Sequence, residues 1–264
     1  MRVRVSVSKQ NYFAFLPWRG IVFPLILILI WQLIYLAKIA NPIFLPSVFS
    51  VVEQGHRLID SGQLWEGLKS SLFRDLIGLS IAIILGVSIG IALGIFRLAD
   101  KVFLPTFNTI KQVSPFALIP LLSFWFGLHE PAKIAFIVVS SVFPIMVNTY
   151  EGVRGVALDF VEIGHVYKMT TTRVLKNIIL PAATPSIFRG LHLGVFFSWL
   201  GTVGAEYFFA AGSGLGNIII DGRNSSQMDL VLFGVFVIGM TGYLLNVGLS
   251  FVEKRLLHWQ IQKQ

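Results

Sequence analysis

Apolar runs of about 20 residues recur along this chain, and that recurrence constrains the fold most, because an apolar helix of that length matches the hydrocarbon thickness of a bilayer. Inside a bilayer each backbone N–H and C=O needs a partner within the protein, so repeated runs of this kind read as packed helices. Composition agrees: 55% of residues are hydrophobic and 13% charged, with a mean hydropathy of +0.77, against about a quarter charged in a soluble domain. An all-α polytopic membrane protein is predicted. The chain has no cysteine, which excludes a disulfide framework, thiol catalysis and any Cys-based metal site.

Six transmembrane helices are predicted, at about 21–40, 72–96, 104–127, 132–148, 186–209 and 230–249. They form a transmembrane domain over 21–250, with a segment 1–20 before it and a tail 251–264 after it. The first run is too long for the apolar region of a secretory signal and lacks a small-x-small cleavage site, so it reads as an uncleaved helix. Residues 41–69, with Pro42, Pro46 and Ser61-Gly62, read as a loop carrying a short amphipathic helix. The second span carries Gly78, Gly86, Gly90 and Gly94. The last three fall four residues apart, on one face where another helix can approach closely.

The third span is the unusual one, with Lys111, Gln112, Ser114, Pro115 and Pro120. Proline inside a span frees carbonyls that must then face protein or a water-filled cavity. An intramembrane lysine is a functional candidate, although Lys111 lies near enough to a span end to snorkel. Lys111, Pro115 and Pro120 are therefore candidate pathway residues. Residues 212–229 read as a second loop rich in Gly and Ser, across which Arg223 and Asp229 are placed to pair.

The charge follows the same plan. With six spans, Arg2, Arg4, Lys9, Arg19, Arg97, Lys101, Arg154, Lys168, Arg173, Lys176, Lys254, Arg255 and Lys263 share one side, while the other keeps Arg57, Lys69, Lys133 and Arg223. The positive-inside rule then puts both termini in the cytoplasm, as for a multi-pass protein of the plasma (inner) membrane. It accounts for the net charge of +8 without a nucleic-acid partner.

The longest polar segment, 150–181, falls on that cytoplasmic side. Val156, Phe160, Ile163 and Tyr167 recur at helical spacing, with Asp159, Glu162, His165 and Lys168 between them. A second helical run follows Thr170–Thr172 and is predicted to stop at Pro181. An amphipathic helix here suits docking into a groove on another protein, or simply resting on lipid, and the pattern alone leaves both open.

Glu162, followed by Ile178-Ile179-Leu180-Pro181, resembles the cytoplasmic E-A-A-x-x-x-G-x(9)-I-x-L-P loop of ABC-importer permeases. The two alanines of that pattern fall on Ile163 and Gly164, and its glycine falls on Lys168. Leu45-Pro46-Ser47, Ser71-Leu72-x-Arg74, Ser114-Pro115-x(4)-Pro120-Leu121-x(3)-Trp125-Phe126-Gly127, Ala205-Glu206, Ser213-Gly214-Leu215-Gly216, Arg223-Asn224 and Asp229-Leu230 resemble segments of the nitrate/sulfonate/taurine branch. The likeness covers about residue 20 to 259.

The resemblance implies a type I ABC-importer permease fold with a cytoplasmic coupling-helix loop. Two copies would pair around one pathway in the lipid bilayer, a small solute arriving from an extracytoplasmic binding protein, with a pair of ABC ATPase subunits below. Glu162, Ile163, Gly164, Lys168, Leu180 and Pro181 would couple to the ATPase. Ser213, Gly214, Leu215 and Gly216 would face the binding protein. His192 and Glu206 join Lys111, Pro115 and Pro120 as pathway or gate candidates, Glu206 reading equally as a satisfied interfacial carboxylate. The chain departs from the branch at Lys111-Gln112, where arginine-proline is usual, and at Gly190-Leu191-His192, where G-L-R is usual. Each departure loses the planar fork that pairs two oxygens of an anion.

No G-x-x-x-x-G-K-[ST] loop occurs, so ATP is expected to be used by the partner and no cofactor held here. Five histidines are scattered, and H-E-x-x-H and G-x-S-x-G are absent, so no catalytic or metal site is expected. An ATP-independent secondary transporter is the alternative from another class, but it would call for repeated broken helices, and only span three is broken. The substrate expected is a small anion such as an aliphatic sulfonate, with nitrate, taurine, bicarbonate or a vitamin precursor as alternatives.

Overall fold

The helix α6 (Glu130–Arg154) is gripped along its length by α3 (Gln63–Ile95) and α7 (Thr171–Phe209). Glycine explains how closely they lie. A Cβ on Gly86 would sit 2.9 Å from the Ile145 side chain, and one on Gly90 only 2.6 Å from the Met146 carbonyl oxygen. Gly190 and Gly194 of α7 approach α6 as closely, where added Cβ atoms would meet Asn148 and Ile145. The glycine face expected on span two thus does pack a neighbouring helix, and α6 is the neighbour.

This is a computed structural model, and it describes residues 19–157, 162, 166–209 and 212–257. Arg2, Arg4, Lys9, Asp159, Phe160, Ile163, Gly164, His165 and Lys263 lie outside the described residues. Before α3 come α1 (Arg19–Leu36) and the amphipathic α2 (Val48–Asp60), which is capped by Ser47 and packs on α9 (Met228–Leu256). Among the described residues four helices are long and apolar enough to cross a bilayer: α3, α6, α7 and α9. The apolar stretches Val22–Leu36 and Pro115–Phe126 are shorter.

Three expectations change. The stretch 104–127 is not one span: α4 (Arg97–Ile110) ends at Lys111, a 3₁₀ turn covers Pro115–Leu118, and α5 (Ile119–Phe126) stops at Gly127 with φ 73°. The cause is local. Ser114 is extended (ψ 131°), as a residue before proline prefers. Pro115 and Pro120 then sit in the first turns of short helices, where the missing N–H costs nothing.

Pro181 does not stop its helix either. A π segment at Leu175–Ile179 immediately precedes it, and α7 runs on through Pro181 and Pro185 to Phe209. Widening the helix is a recognised way to absorb a disrupted ladder. Finally, the Gly/Ser-rich 212–229 region is no plain loop, because Leu215–Asn224 folds as α8 with Leu215 and Ile218 buried. Those two join Leu58, Leu64, Trp199 and Leu230 in one apolar core. A second core gathers Leu122, Ala132, Phe136, Ala205 and Phe209.

Candidate functional site

A buried charged cluster closes the α8 end of the bundle. Glu206, at the end of α7, has 0% of its side chain exposed. It accepts hydrogen bonds from Ser71 Oγ at 2.6 Å, Arg74 Nη1 at 2.7 Å and the Gly216 N–H at 2.8 Å. Ser71 Oγ in turn accepts the Leu215 N–H at 2.9 Å. Two orphan N–H groups at the start of α8 are thereby satisfied, with a carboxylate at the positive end of the helix. Gly214 leaves the necessary space: a Cβ there would lie 2.4 Å from the Glu206 carboxylate carbon.

The cluster continues outward. Arg74 holds Glu130 with Nε and with Nη2 (2.8 Å), and Lys133 Nζ lies 3.6 Å from Glu130 Oε1. Glu130 is half exposed, while Arg74 and Lys133 are buried. Beneath them Thr202 Oγ1 donates to Asp75 Oδ1 at 3.0 Å. Glu206 is therefore a buried, hydrogen-bonded ion-pair partner that fastens α3, α7 and α8 together. Gly214, Leu215 and Gly216 are buried too, and Ser213 is half-buried with its Oγ 2.9 Å from Ser70 Oγ. The N–H groups of Leu215 and Gly216, at the start of α8, point inward to Ser71 and Glu206. Sequence reading had Arg74, Lys133 and Glu206 only as separate elements; charge on spanning helices was the one signal that could have grouped them. Arg223 and Asp229 do not pair: Arg223 donates to Tyr207 Oη, and Asp229 Oδ1 accepts the Leu230 N–H.

A cavity of about 340 Å³ opens where the broken segment meets α6 and α7. Lys111 and Pro115 line it with Ser140, Phe143, Pro144 and Phe197. The walls are almost wholly apolar, and Lys111 brings the cation. Lys111 is the exposed C-cap of α4, not an intraspan residue. Of the five pathway candidates only Lys111 and Pro115 meet here. Pro120 is exposed on α5. His192 instead joins α7 to α9, with Nδ1 2.8 Å from Asn246 Oδ1 and Nε2 2.9 Å from Glu253 Oε2.

At the other end of the bundle α6 runs into the 155–170 segment. Glu162 is exposed, Leu180 half-buried and Pro181 exposed on the continuous α7. Lys168 adopts φ 50°, the left-handed region where glycine is favoured. The bend that a glycine would permit is thus made here by a lysine. Close by, Asp100 of α4 accepts a hydrogen bond from Tyr150 Oη at 2.8 Å and pairs with Arg154 Nη2 at 3.2 Å.

A family model described as the binding-protein-dependent transport system inner membrane component matches residues 82–258. The chain is 32% identical over 259 residues to a candidate aliphatic sulfonates transport permease, SsuC, of Bacillus subtilis, covering 98% of this chain and 92% of that one. It is 30% identical to the nitrate import permease protein NrtB of Synechocystis, covering 93% and 92%. Against the taurine transport system permease protein TauC of Escherichia coli it is also 30% identical, covering 90% and 88%. Among solved structures, an inward-facing form of the MetNI methionine ABC transporter superposes with a TM-score of 0.54 at 16% identity, covering 72% of this chain and 97% of that one. At that identity the likeness concerns the fold alone.

Proposed function

The chain belongs to the family of binding-protein-dependent transport system inner membrane components and is a permease subunit of an ABC importer; we propose that it passes a small organic anion through a pathway lined by Lys111. Lys111 on an apolar cavity of about 340 Å³ is the observation that carries this reading. Apolar walls suit a short hydrocarbon tail, and a lone ammonium suits a single charged head without the bidentate geometry of arginine. An aliphatic sulfonate has both parts. Nitrate and bicarbonate have no tail, although permeases named for sulfonate, taurine, nitrate and bicarbonate all stand among the relatives.

The basic residues Lys101, Arg154, Lys168, Arg173, Lys176, Lys254 and Arg255 gather toward the end of the bundle away from α8, which the positive-inside rule assigns to the cytoplasm. In the proposed assembly α1 and the broken 97–126 segment complete six crossings, and a second copy closes the pathway. The exposed aromatic face of α5, with Phe124 86% exposed, supports contact with lipid or that second copy. Exposed Glu162 and the bent Lys168 support docking of the 155–170 loop, with Ile163 and Gly164, into a separate ATPase subunit, and Leu180 and Pro181 lie in the first turns of α7, the helix that would carry the stroke. At the opposite end, half-exposed Glu130 and Ser213 are the parts of the α8 region that an extracytoplasmic binding protein can reach.

The test is purification of the tagged chain from its host in mild detergent, beside Glu162→Arg. An ATPase subunit that accompanies the parent chain and is lost from the variant is the expected result. The binding protein from the same host is then titrated with a four-carbon alkanesulfonate, nitrate and bicarbonate, with tightest binding expected for the sulfonate. A chain that purifies alone and still moves solute in vesicles would return it to the ATP-independent class.

A further inference from the structure

Asp100 stands where three parts of the molecule meet. It lies in the first turn of α4, one turn after Phe96, the residue that joins α4 to α3. Its two carboxylate oxygens are both used, one by Tyr150 Oη (2.8 Å) and one by Arg154 Nη2 (3.2 Å). Tyr150 and Arg154 belong to the last turns of α6, and Gly155 begins the loop at once after them. The Asp100 side chain is only 13% exposed and Arg154 45% exposed, so one member is sheltered and the other reaches outward.

The far end of α4 reaches the cavity. Lys111 caps the helix and opens the 111–114 turn. It lines the cavity of about 340 Å³ on one side and, on the other, a smaller one of about 140 Å³ with Tyr150 and Glu151. A helix of 14 residues spans about 21 Å, and α4 carries Pro105 in its interior, where one backbone hydrogen bond is lost. Held at its start to the end of α6 and carrying Lys111 at its tip, it links the loop to the cavity by contact rather than by proximity alone. Coupling of this kind needs an element that both sites bias.

We propose that Asp100 is a positioning residue that transmits movement of the 155–170 loop, through α4, to the cavity at Lys111. The proposal rests on the reading that this loop receives an ATPase. It assigns Asp100, Tyr150 and Arg154 a role in coupling that no pathway or docking contact requires of them.

The absence of cysteine makes a clean test, since an introduced thiol is the only one on the chain. In the full complex, Val166→Cys reports on the loop and Val113→Cys on the turn after α4; both parent side chains are exposed. Each is labelled with a water-soluble maleimide, without nucleotide and after trapping with ATP and vanadate, and labelling is read on the permease chain. Protection of Val166→Cys is expected, together with a change of about fivefold or more in the labelling rate of Val113→Cys, the scale of an ordinary coupling. Adding Asp100→Asn abolishes the response at Val113→Cys and leaves the protection at Val166→Cys; Asp100→Glu restores the response. Tyr150→Phe, which keeps the Arg154 pair, gives an intermediate response and serves as a second variant should Asp100→Asn fail to assemble. An unchanged response in both Asp100→Asn and Tyr150→Phe overturns the proposal, as does a silent Val113→Cys while Val166→Cys is protected. An unprotected Val166→Cys in an assembled complex instead overturns the docking of the loop, and the transmission with it.

Discussion

Replacing Glu206 by glutamine changes one atom and should unfasten α8. Glu206 Oε1 accepts from Ser71 and Arg74, and Oε2 from the Gly216 N–H. Glutamine supplies one oxygen and one NH₂ in those places, so a donor must face a donor. Its best orientation keeps the oxygen toward Arg74 and sets the NH₂ against Gly216. One charge-assisted bond is then lost, about 1.5–3 kcal/mol, and a buried N–H goes unsatisfied, about 1–3 kcal/mol. Arg74 keeps Glu130, so the total should stay near the about 3–5 kcal/mol typical of a broken buried pair. Glu206→Ala should cost more, because Ser71, Arg74 and Gly216 all lose their acceptor. The assay is SDS-titrated unfolding in mixed micelles, followed by tryptophan fluorescence, with Arg74→Met completing a double-mutant cycle. Coupling of about 2 kcal/mol between the two positions is expected, well beyond the few tenths allowed for independent sites. A Glu206→Gln variant within about 0.5 kcal/mol of the parent, the range of ordinary surface changes, would refute the reasoning.

Gly90→Ala should force α3 from α6, since its Cβ would fall 2.6 Å from the Met146 carbonyl oxygen; a loss of about 1–3 kcal/mol, usual for overpacking, should lower the thermal midpoint in detergent. Gly239→Ala, where nothing lies within 4 Å, is the control and should instead stabilise α9 slightly, by about 0.5–1 kcal/mol. Lys168→Gly should relieve the left-handed strain at φ 50°, worth about 1 kcal/mol, and should show as slower proteolysis of the 155–170 loop; faster cleavage would contradict it. His192→Ala removes both partners' contact and should raise hydrogen exchange in the last turns of α9 around Glu253, leaving the α8 end unchanged.

Much of the plan was legible in the residues, and the failures have physical causes. Four apolar runs do become long helices because hydropathy is a local property. The three glycines at Gly86, Gly90 and Gly94 could be read as a packing face, since helix geometry fixes which residues share a side. Span three misled because its apolar content concealed Ser114-Pro115, which extends the backbone and divides the run. Pro181 misled in the opposite sense: a proline normally ends a helix, and the π segment that accommodates it leaves no pattern in composition. The charged cluster was hidden by distance along the chain. Arg74 and Glu206 are 132 residues apart, and no spacing rule brings them together. Lys133, counted among the few cations of the less basic side, is fully buried beside them. The left-handed bend at Lys168 was foreshadowed only by the glycine that the E-A-A-x-x-x-G pattern places there.

The central claim is that the 155–170 loop delivers this permease to an ATPase, and one crosslink tests it most directly. Glu162→Cys, on a chain without other thiols, is modified with a benzophenone maleimide and illuminated in the native membrane. The account predicts a single major adduct whose added mass is an ATPase subunit, lost when that subunit is stripped from the membrane. Adducts with lipid alone, while the complex is demonstrably assembled, would contradict it and return the loop to a helix resting on the bilayer.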